Sequence, residues 1–135
     1  MKGRTVSDMS NLGGARRVLV VDDNADAAEL AAELLRLFGH TVDVATDGPS
    51  ALARVVDFHP EVVLLDLGMP GMSGYDVAIA LRARDDTAGL RIVALTAWGD
   101  AASRARTAAC GFDDHLTKPA ELQSLLASLH AAVER

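Results

Sequence analysis

The sequence is poor in several residues that would point to common kinds of function. It has a single cysteine, Cys110, so no internal disulfide can form and no C-x-x-C spacing is available for a zinc or redox site. Aromatic residues make up 4 %, and the one Trp, one Tyr and three Phe leave any core to Leu, Val and Ala. Lysine occurs only as Lys2 and Lys118, and the formal net charge is -6. That balance argues against a basic nucleic-acid surface and leads us to expect no direct nucleic-acid partner. The longest apolar runs, such as 61–67, are strand-sized and far short of the ~20 residues that cross a bilayer. The first 16 residues also lack the apolar stretch of a secretory signal. No direct membrane contact is expected, and a reducing cytoplasm is the expected setting.

What remains is a chain of 135 residues, half of them hydrophobic, enough for one domain with a real core. Residues 1–15 mix Gly, Ser, Asn and isolated charges without period and read as a flexible arm or linker. From residue 16 to 135 the pattern is regular. Short β-branched runs at 17–21, 41–45, 62–66 and 91–96 suit strands buried on both faces, and a shorter one is expected near 113–116. Between them the period becomes helical. Ala27, Leu30, Ala31, Leu34, Leu35 and Phe38 share one face; Leu52, Val55 and Val56 mark a second helix, opened by Asp47-Gly48-Pro49. Val77, Ala80, Leu81 and Arg84 mark a third, and Leu122, Leu125, Leu126, Leu129 and Val133 the last. The helix expected over 100–110 is nearly all Ala and Arg, without one Leu, Ile or Val, so it should be weakly held and free to shift.

Five strand-then-helix units of about 20 to 30 residues each match the βαβ period, and right-handed crossovers give a doubly wound parallel α/β sheet. Ligands of such sheets bind beyond the carboxyl ends of the strands. Polar residues stand there: Asp22 and Asp23 after the first strand, Asp66 ending the third, Thr96 ending the fourth and Lys118 after the fifth. Three carboxylates brought together repel one another, and a hard divalent cation with oxygen ligands relieves the repulsion. No His or Cys stands among them to favour a softer metal. A carboxylate so placed can attack phosphorus and form an acyl phosphate, with lysine and a hydroxyl meeting the phosphoryl oxygens.

Four stretches carry a resemblance. Val18-Leu19-Val20-Val21-Asp22-Asp23-Asn24, Leu64-Leu65-Asp66-Leu67-Gly68-Met69-Pro70-Gly71-Met72-Ser73-Gly74, Leu95-Thr96-Ala97 and Leu116-Thr117-Lys118-Pro119 resemble the receiver domains of two-component response regulators. The resemblance implies a flavodoxin-like (βα)5 three-layer sandwich with strand order 2-1-3-4-5. It also implies phosphorylation of Asp66, with Mg²⁺ or Mn²⁺ held by Asp22, Asp23, Asp66 and the Gly68 backbone carbonyl. Thr96 is similar to the switch hydroxyl and Lys118 to its cationic partner, before a commonly cis bond to Pro119. His115, Ala97, Trp98 and Pro119 fall on the switching and partner-reading side. The donor would be a histidine kinase or a histidine phosphotransfer protein, and the output another protein. Such a chain is a stoichiometric acceptor that catalyses its own phosphorylation and dephosphorylation; it is not an enzyme acting on a separate substrate.

Departures from the commonest pattern are informative. His115 stands where Tyr or Phe is usual, either as a partly exposed strand residue or as a ring that swings between buried and exposed rotamers with some sensitivity to pH. His at this place is more like receivers attached to hybrid histidine kinases. Trp98, on the loop two residues past Thr96, would shield the acyl phosphate or anchor a partner. Gly68 leaves the opposite rim open. His40, His59 and His130 lack ligand spacing, and both they and Cys110 read as structural or solvated.

Three alternatives stand beside the acceptor reading. An unphosphorylated docking module would have no use for the intact acids, Thr96 and Lys118. A phosphatase with an aspartyl-phosphate intermediate needs an acid where Gly68 stands. A nucleotide or flavin binder needs a glycine-rich loop where Asp22-Asp23-Asn24 offers negative charge. No output domain is expected after the last helix, which fits either a single-domain regulator or the receiver segment of a hybrid sensor histidine kinase.

Overall fold

The computed structural model describes residues 14–97, 99 and 101–130. The arm expected over 1–15 and the positions of Trp98 and Val133 therefore lie wholly or largely outside the described residues. Five strands alternate with helices: β1 Arg17–Val21, α1 Ala25–Leu37, β2 Thr41–Ala45, α2 Gly48–Phe58, β3 Val62–Asp66, α3 Gly74–Arg82, β4 Arg91–Thr96, α4 Ala101–Ala109, β5 Asp114–Thr117 and α5 Leu122–Ser128. A 3-10 turn, Asp85–Thr87, precedes β4. All strand pairs are parallel, in the order β2-β1-β3-β4-β5.

Both faces of the sheet are covered, which is why the interiors of β1, β3 and β4 are apolar on both sides. Successive side chains point to opposite faces. Leu19, Val21, Val63, Leu65, Ile92 and Ala94 pack under Ala51 and Val55 of α2 and Val77, Ala78 and Leu81 of α3. Val18, Val20, Val62, Leu64, Val93 and Leu95 pack under Ala28, Ala32 and Leu35 of α1 and Leu125, Leu126 and Leu129 near α5.

The helices correct the sequence expectations at several points. On α1 the buried stripe is Ala28, Ala32, Leu35 and then Phe38, one step round from the expected face; Ala27 is exposed and Leu30 is 59 % exposed. Alanines facing the sheet let the helix approach closely, and the larger leucines are left outside. Val56 of α2 is likewise 50 % exposed. β5 lies one residue later than expected. α4 conforms to its composition: among its residues only Thr107 is buried.

Side-chain caps fix where the helices begin. The Asn24 side chain accepts from the Ala27 amide at the start of α1. Ser73 and Asp76 form a reciprocal capping box at the start of α3. Gly74 allows the α3 backbone to lie against the end of β3. A Cβ there would fall 2.5 Å from the Asp66 carbonyl oxygen and 2.8 Å from Leu67 Cα.

At the amino-terminal edge of the sheet, Arg16 ties distant segments together. Its amide donates to His40 Nδ1 at 3.0 Å, its Nε donates to His130 Nδ1 at 2.9 Å, and its guanidinium pairs with Glu61 at 3.2 Å. Both imidazoles must be unprotonated at Nδ1 to accept. Burial, the His130 ring and Arg16 hold His40 below the usual imidazole value; burial, Arg16 and Arg91 do the same for His130, against a smaller opposing pull from Glu61.

Two predictions follow from this packing. The unfolded chain takes up protons on these histidines near pH ~6.5, before the folded chain does, so their contribution to stability is present above that value and lost as pH falls through the folded values. Thermal melts at constant ionic strength should show Tm falling from about pH 7.5 to about 5.5, with a shallower slope in the His40→Gln, His130→Gln double variant. Gly74→Ala should lower stability by about 1–3 kcal/mol in a denaturant titration, the usual cost of overpacking, because backbone atoms cannot rotate away.

Candidate functional site

The parallel sheet sends every strand's carboxyl end to one edge, and the central position of β1 and β3 sets their terminal acids side by side. Asp66 is the last residue of β3 and Asp22 follows β1 directly. Carboxylate oxygens of Asp22, Asp23 and Asp66 all lie within 4.8 Å of one another; Asp22 and Asp66 are buried and Asp23 is exposed. The Asp22 carboxylate accepts from the Asn24 amide at 3.0 Å, and Asp66 Oδ1 accepts from the Gly68 amide at 3.2 Å. Each acid is thus held by the turn that follows its own strand.

Lys118 enters from the far side of the sheet. Its Nζ lies 3.1 Å from Asp22 Oδ2 and 3.4 Å from Asp66 Oδ1. The Lys118 amide donates to the Thr96 carbonyl at 2.7 Å, and the bond to Pro119 is cis. Burial pushes the Asp66 carboxyl above its usual range and the Asp22 charge adds to this, against the Gly68 amide and Lys118, which pull it down. For Lys118 burial works downward, but the hydrogen bond to Asp22 and the charges of Asp66 and Asp22 outweigh it and hold the ammonium above its usual value. The lysine is therefore firmly charged. The donor set is carboxylate oxygen alone, which suits a hard divalent cation such as Mg²⁺.

A cleft of about 380 Å³ opens onto Asp66 and is lined by Leu67, Gly68, Tyr75, Thr96, Ala97, Ser103, Arg106 and Lys118. Thr96 is 3 % exposed at the end of β4, whereas Ala97 and Pro119 are exposed beside it. Gly68 has room beside it, since a Cβ there would meet only Asp66 Oδ1, at 3.9 Å.

His115 departs from the reading of a partly exposed strand residue. It is 7 % exposed, and its Nδ1 lies 3.1 Å from the Thr107 hydroxyl. That hydroxyl also lies 2.9 Å from the Arg104 carbonyl, to which it can donate. Of the other histidines, His40 and His130 serve Arg16, and His59 is an exposed C-cap of α2 with φ 54°. Cys110 is partly buried at the margin of the core.

Two residues of the cleft escape a reading by motif. The Arg106 guanidinium stacks on the Tyr75 ring, 3.8 Å from its centroid, and Tyr75 in turn meets Phe112 edge to face. The pair joins α3 to α4 across thirty-one positions of sequence, and the Ala and Arg composition of α4 does not single Arg106 out from Arg104.

Comparison with known proteins agrees with this architecture. The family description "Response regulator receiver domain" matches residues 18–130. The DNA-binding response regulator MtrA of Mycolicibacterium paratuberculosis is 41 % identical over 120 residues, which cover 89 % of this chain and 52 % of that protein. The DNA-binding dual master transcriptional regulator RpaA of Synechocystis is 33 % identical over 119 residues, 88 % of this chain and 49 % of the relative. The chain thus spans about half the length of these curated relatives, whose names lend no support to the expectation that nucleic acid is absent among the partners. Among solved structures, the chemotaxis protein CheY4 of Vibrio cholerae superposes with a TM-score of 0.81 at 28 % identity, covering 86 % of this chain and 97 % of that one. No helix among the described residues is long and apolar enough to cross a membrane. With the profile match running through all five strand-and-helix units, the chain belongs to the response regulator receiver domain family.

Proposed function

We propose that this receiver domain, residues 16–135, accepts a phosphoryl group on Asp66 from the phosphohistidine of a histidine kinase or a histidine phosphotransfer protein. The observation that carries the reading is the Lys118 ammonium bridging Asp22 and Asp66 inside a cluster of three carboxylates. Asp22, Asp23, Asp66 and the Gly68 carbonyl would hold Mg²⁺ or Mn²⁺, which supplies charge neutralisation for the phosphoryl oxygens. Asp66 attacks phosphorus through a carboxylate oxygen, and the bond from phosphorus to the donor nitrogen breaks. Lys118 shifts from its carboxylate partners to a phosphoryl oxygen, and the Thr96 hydroxyl meets another. The acceptor is consumed stoichiometrically, and the setting consistent with such a donor is the cytoplasm.

The same site would switch protein contacts. Thr96 and His115 sit on paired strands, with Ala94 opposite His115 in the register. A Thr96 drawn toward the phosphoryl group would change the surroundings of the His115 ring, and the Thr107 contact would carry that change to α4. Ala97 and Pro119 border the surface a partner would read. The named relatives favour a DNA-binding regulator over the receiver segment of a hybrid kinase as the wider protein. An unphosphorylated docking module leaves the bridging lysine and its acids without a purpose.

Incubation with Mg²⁺ and acetyl phosphate, followed by mapping, should find one acid-stable, base-labile phosphate on Asp66, absent from Asp66→Asn and from metal-free buffer. Equal labelling of the Asn variant would sink the assignment. For the switch, Thr107→Val should raise amide hydrogen exchange in α4 about fivefold, the factor expected from losing a hydrogen bond of ~1 kcal/mol, while the rate of Asp66 labelling stays the same. His115→Ala should alter partner binding more than phosphorylation, which titration of the phosphorylated chain with its partner would measure.

A further inference from the structure

The cleft above Asp66 is lined by two cations in very different circumstances. Lys118 is engaged by Asp22 and Asp66. Arg106 lines the same cleft from α4, and among the described residues no carboxylate lies within ion-pair distance of it. Its guanidinium is instead seated flat on Tyr75, 3.8 Å from the ring centroid. Stacking desolvates one face of the group and leaves its N–H edge free to donate, and that edge fits a carboxylate in bidentate fashion. Tyr75 is itself braced by Phe112, so the seat is fixed at both ends. Gly68, which lines the same cleft, presents no side chain to an incoming group.

We infer that Arg106, stacked on Tyr75, is a specificity-determining residue that favours small acyl phosphates over donors with a neutral leaving group. The inference rests on the phospho-acceptor reading of Asp66. A donor entering this cleft meets Asp66 and Lys118 at its phosphoryl end, and the guanidinium presents a second positive group to its acyl end. In the transfer, an Asp66 oxygen bonds to phosphorus and the bond from phosphorus to the acyl oxygen breaks. The electron pair leaves on a carboxylate, with no proton consumed. Negative charge thus grows on the leaving oxygens, where Arg106 donates to them. Phosphoramidate loses ammonia, a neutral group, and gains nothing from the same contact.

The test compares both donors on the full chain with Mg²⁺, following Asp66 labelling by intact mass. Arg106 is exposed, so its substitution should leave the fold intact, and melting curves check this. Arg106→Ala should slow labelling by acetyl phosphate about five- to tenfold, the effect of one charge-assisted hydrogen bond near the surface. Labelling by phosphoramidate should stay within about twofold, and Arg106→Lys should recover only part of the loss, because an ammonium lacks the planar fork. Tyr75→Leu, which removes the seat but keeps the charge, should fall between wild type and Arg106→Ala. Added salt should slow the acetyl phosphate reaction of wild type more than that of Arg106→Ala. Equal loss with both donors, or no loss with either, overturns the inference while leaving Asp66 as acceptor. No labelling of the wild-type chain by either donor overturns the acceptor reading and this inference together.

Discussion

Three carboxylates held within 4.8 Å of one another at a partly buried edge form an arrangement that opposes its own assembly, and the Lys118 ammonium is the group of this chain that offsets it. Much of the architecture follows from the need to bring these four side chains together. A parallel sheet is required for all the strand ends to meet on one side. The order β2-β1-β3-β4-β5 sets the acids of β1 and β3 next to each other, and β5 delivers the lysine. The turns after each strand hold the carboxylates by their backbone amides, and Gly74 lets α3 close over the end of β3 without displacing Asp66. Burial of both sheet faces fixes the strands that carry these groups.

The opposite requirement governs α4. Its neighbours are anchored by Leu, Val and Ala, but α4 buries only Thr107, and its described contacts include a polar one to the His115 ring and a cation stacked on Tyr75. Polar contacts of this kind are directional and can be exchanged at small cost, whereas a buried aliphatic seam cannot. The half of the domain around α1, β1 and β3 is held by buried aliphatic contacts, whereas α4, against β5, contributes one buried residue. Both borders meet in the cleft above Asp66.

Much of this was legible in the sequence because a strand covered on both faces cannot hide. The runs ending at Val21, Ala45, Asp66 and Thr96 were placed to the residue, and with them the acids and the hydroxyl at their ends. Helix faces were harder to read. Hydrophobicity favoured Leu30 over Ala28 on α1, but close helix-to-sheet packing favours the smaller side chain, so the buried stripe lay one step round. The burial of His115 was not legible either, because it depends on α4 coming to lie against β5, where Thr107 meets the ring. The stacking of Arg106 on Tyr75 depends on two helices meeting in space, and no local pattern encodes it.

Asp22 and Lys118 stand 96 residues apart in the chain yet meet at 3.1 Å, and β3 supplies Asp66 between them. An unfolded chain therefore has no such site at all, only scattered acids that bind cations weakly. Any ion or phosphoryl mimic that prefers the assembled cluster draws the equilibrium toward the folded chain by mass action. A divalent cation with that preference would raise the domain's resistance to heat and proteolysis in step with its concentration.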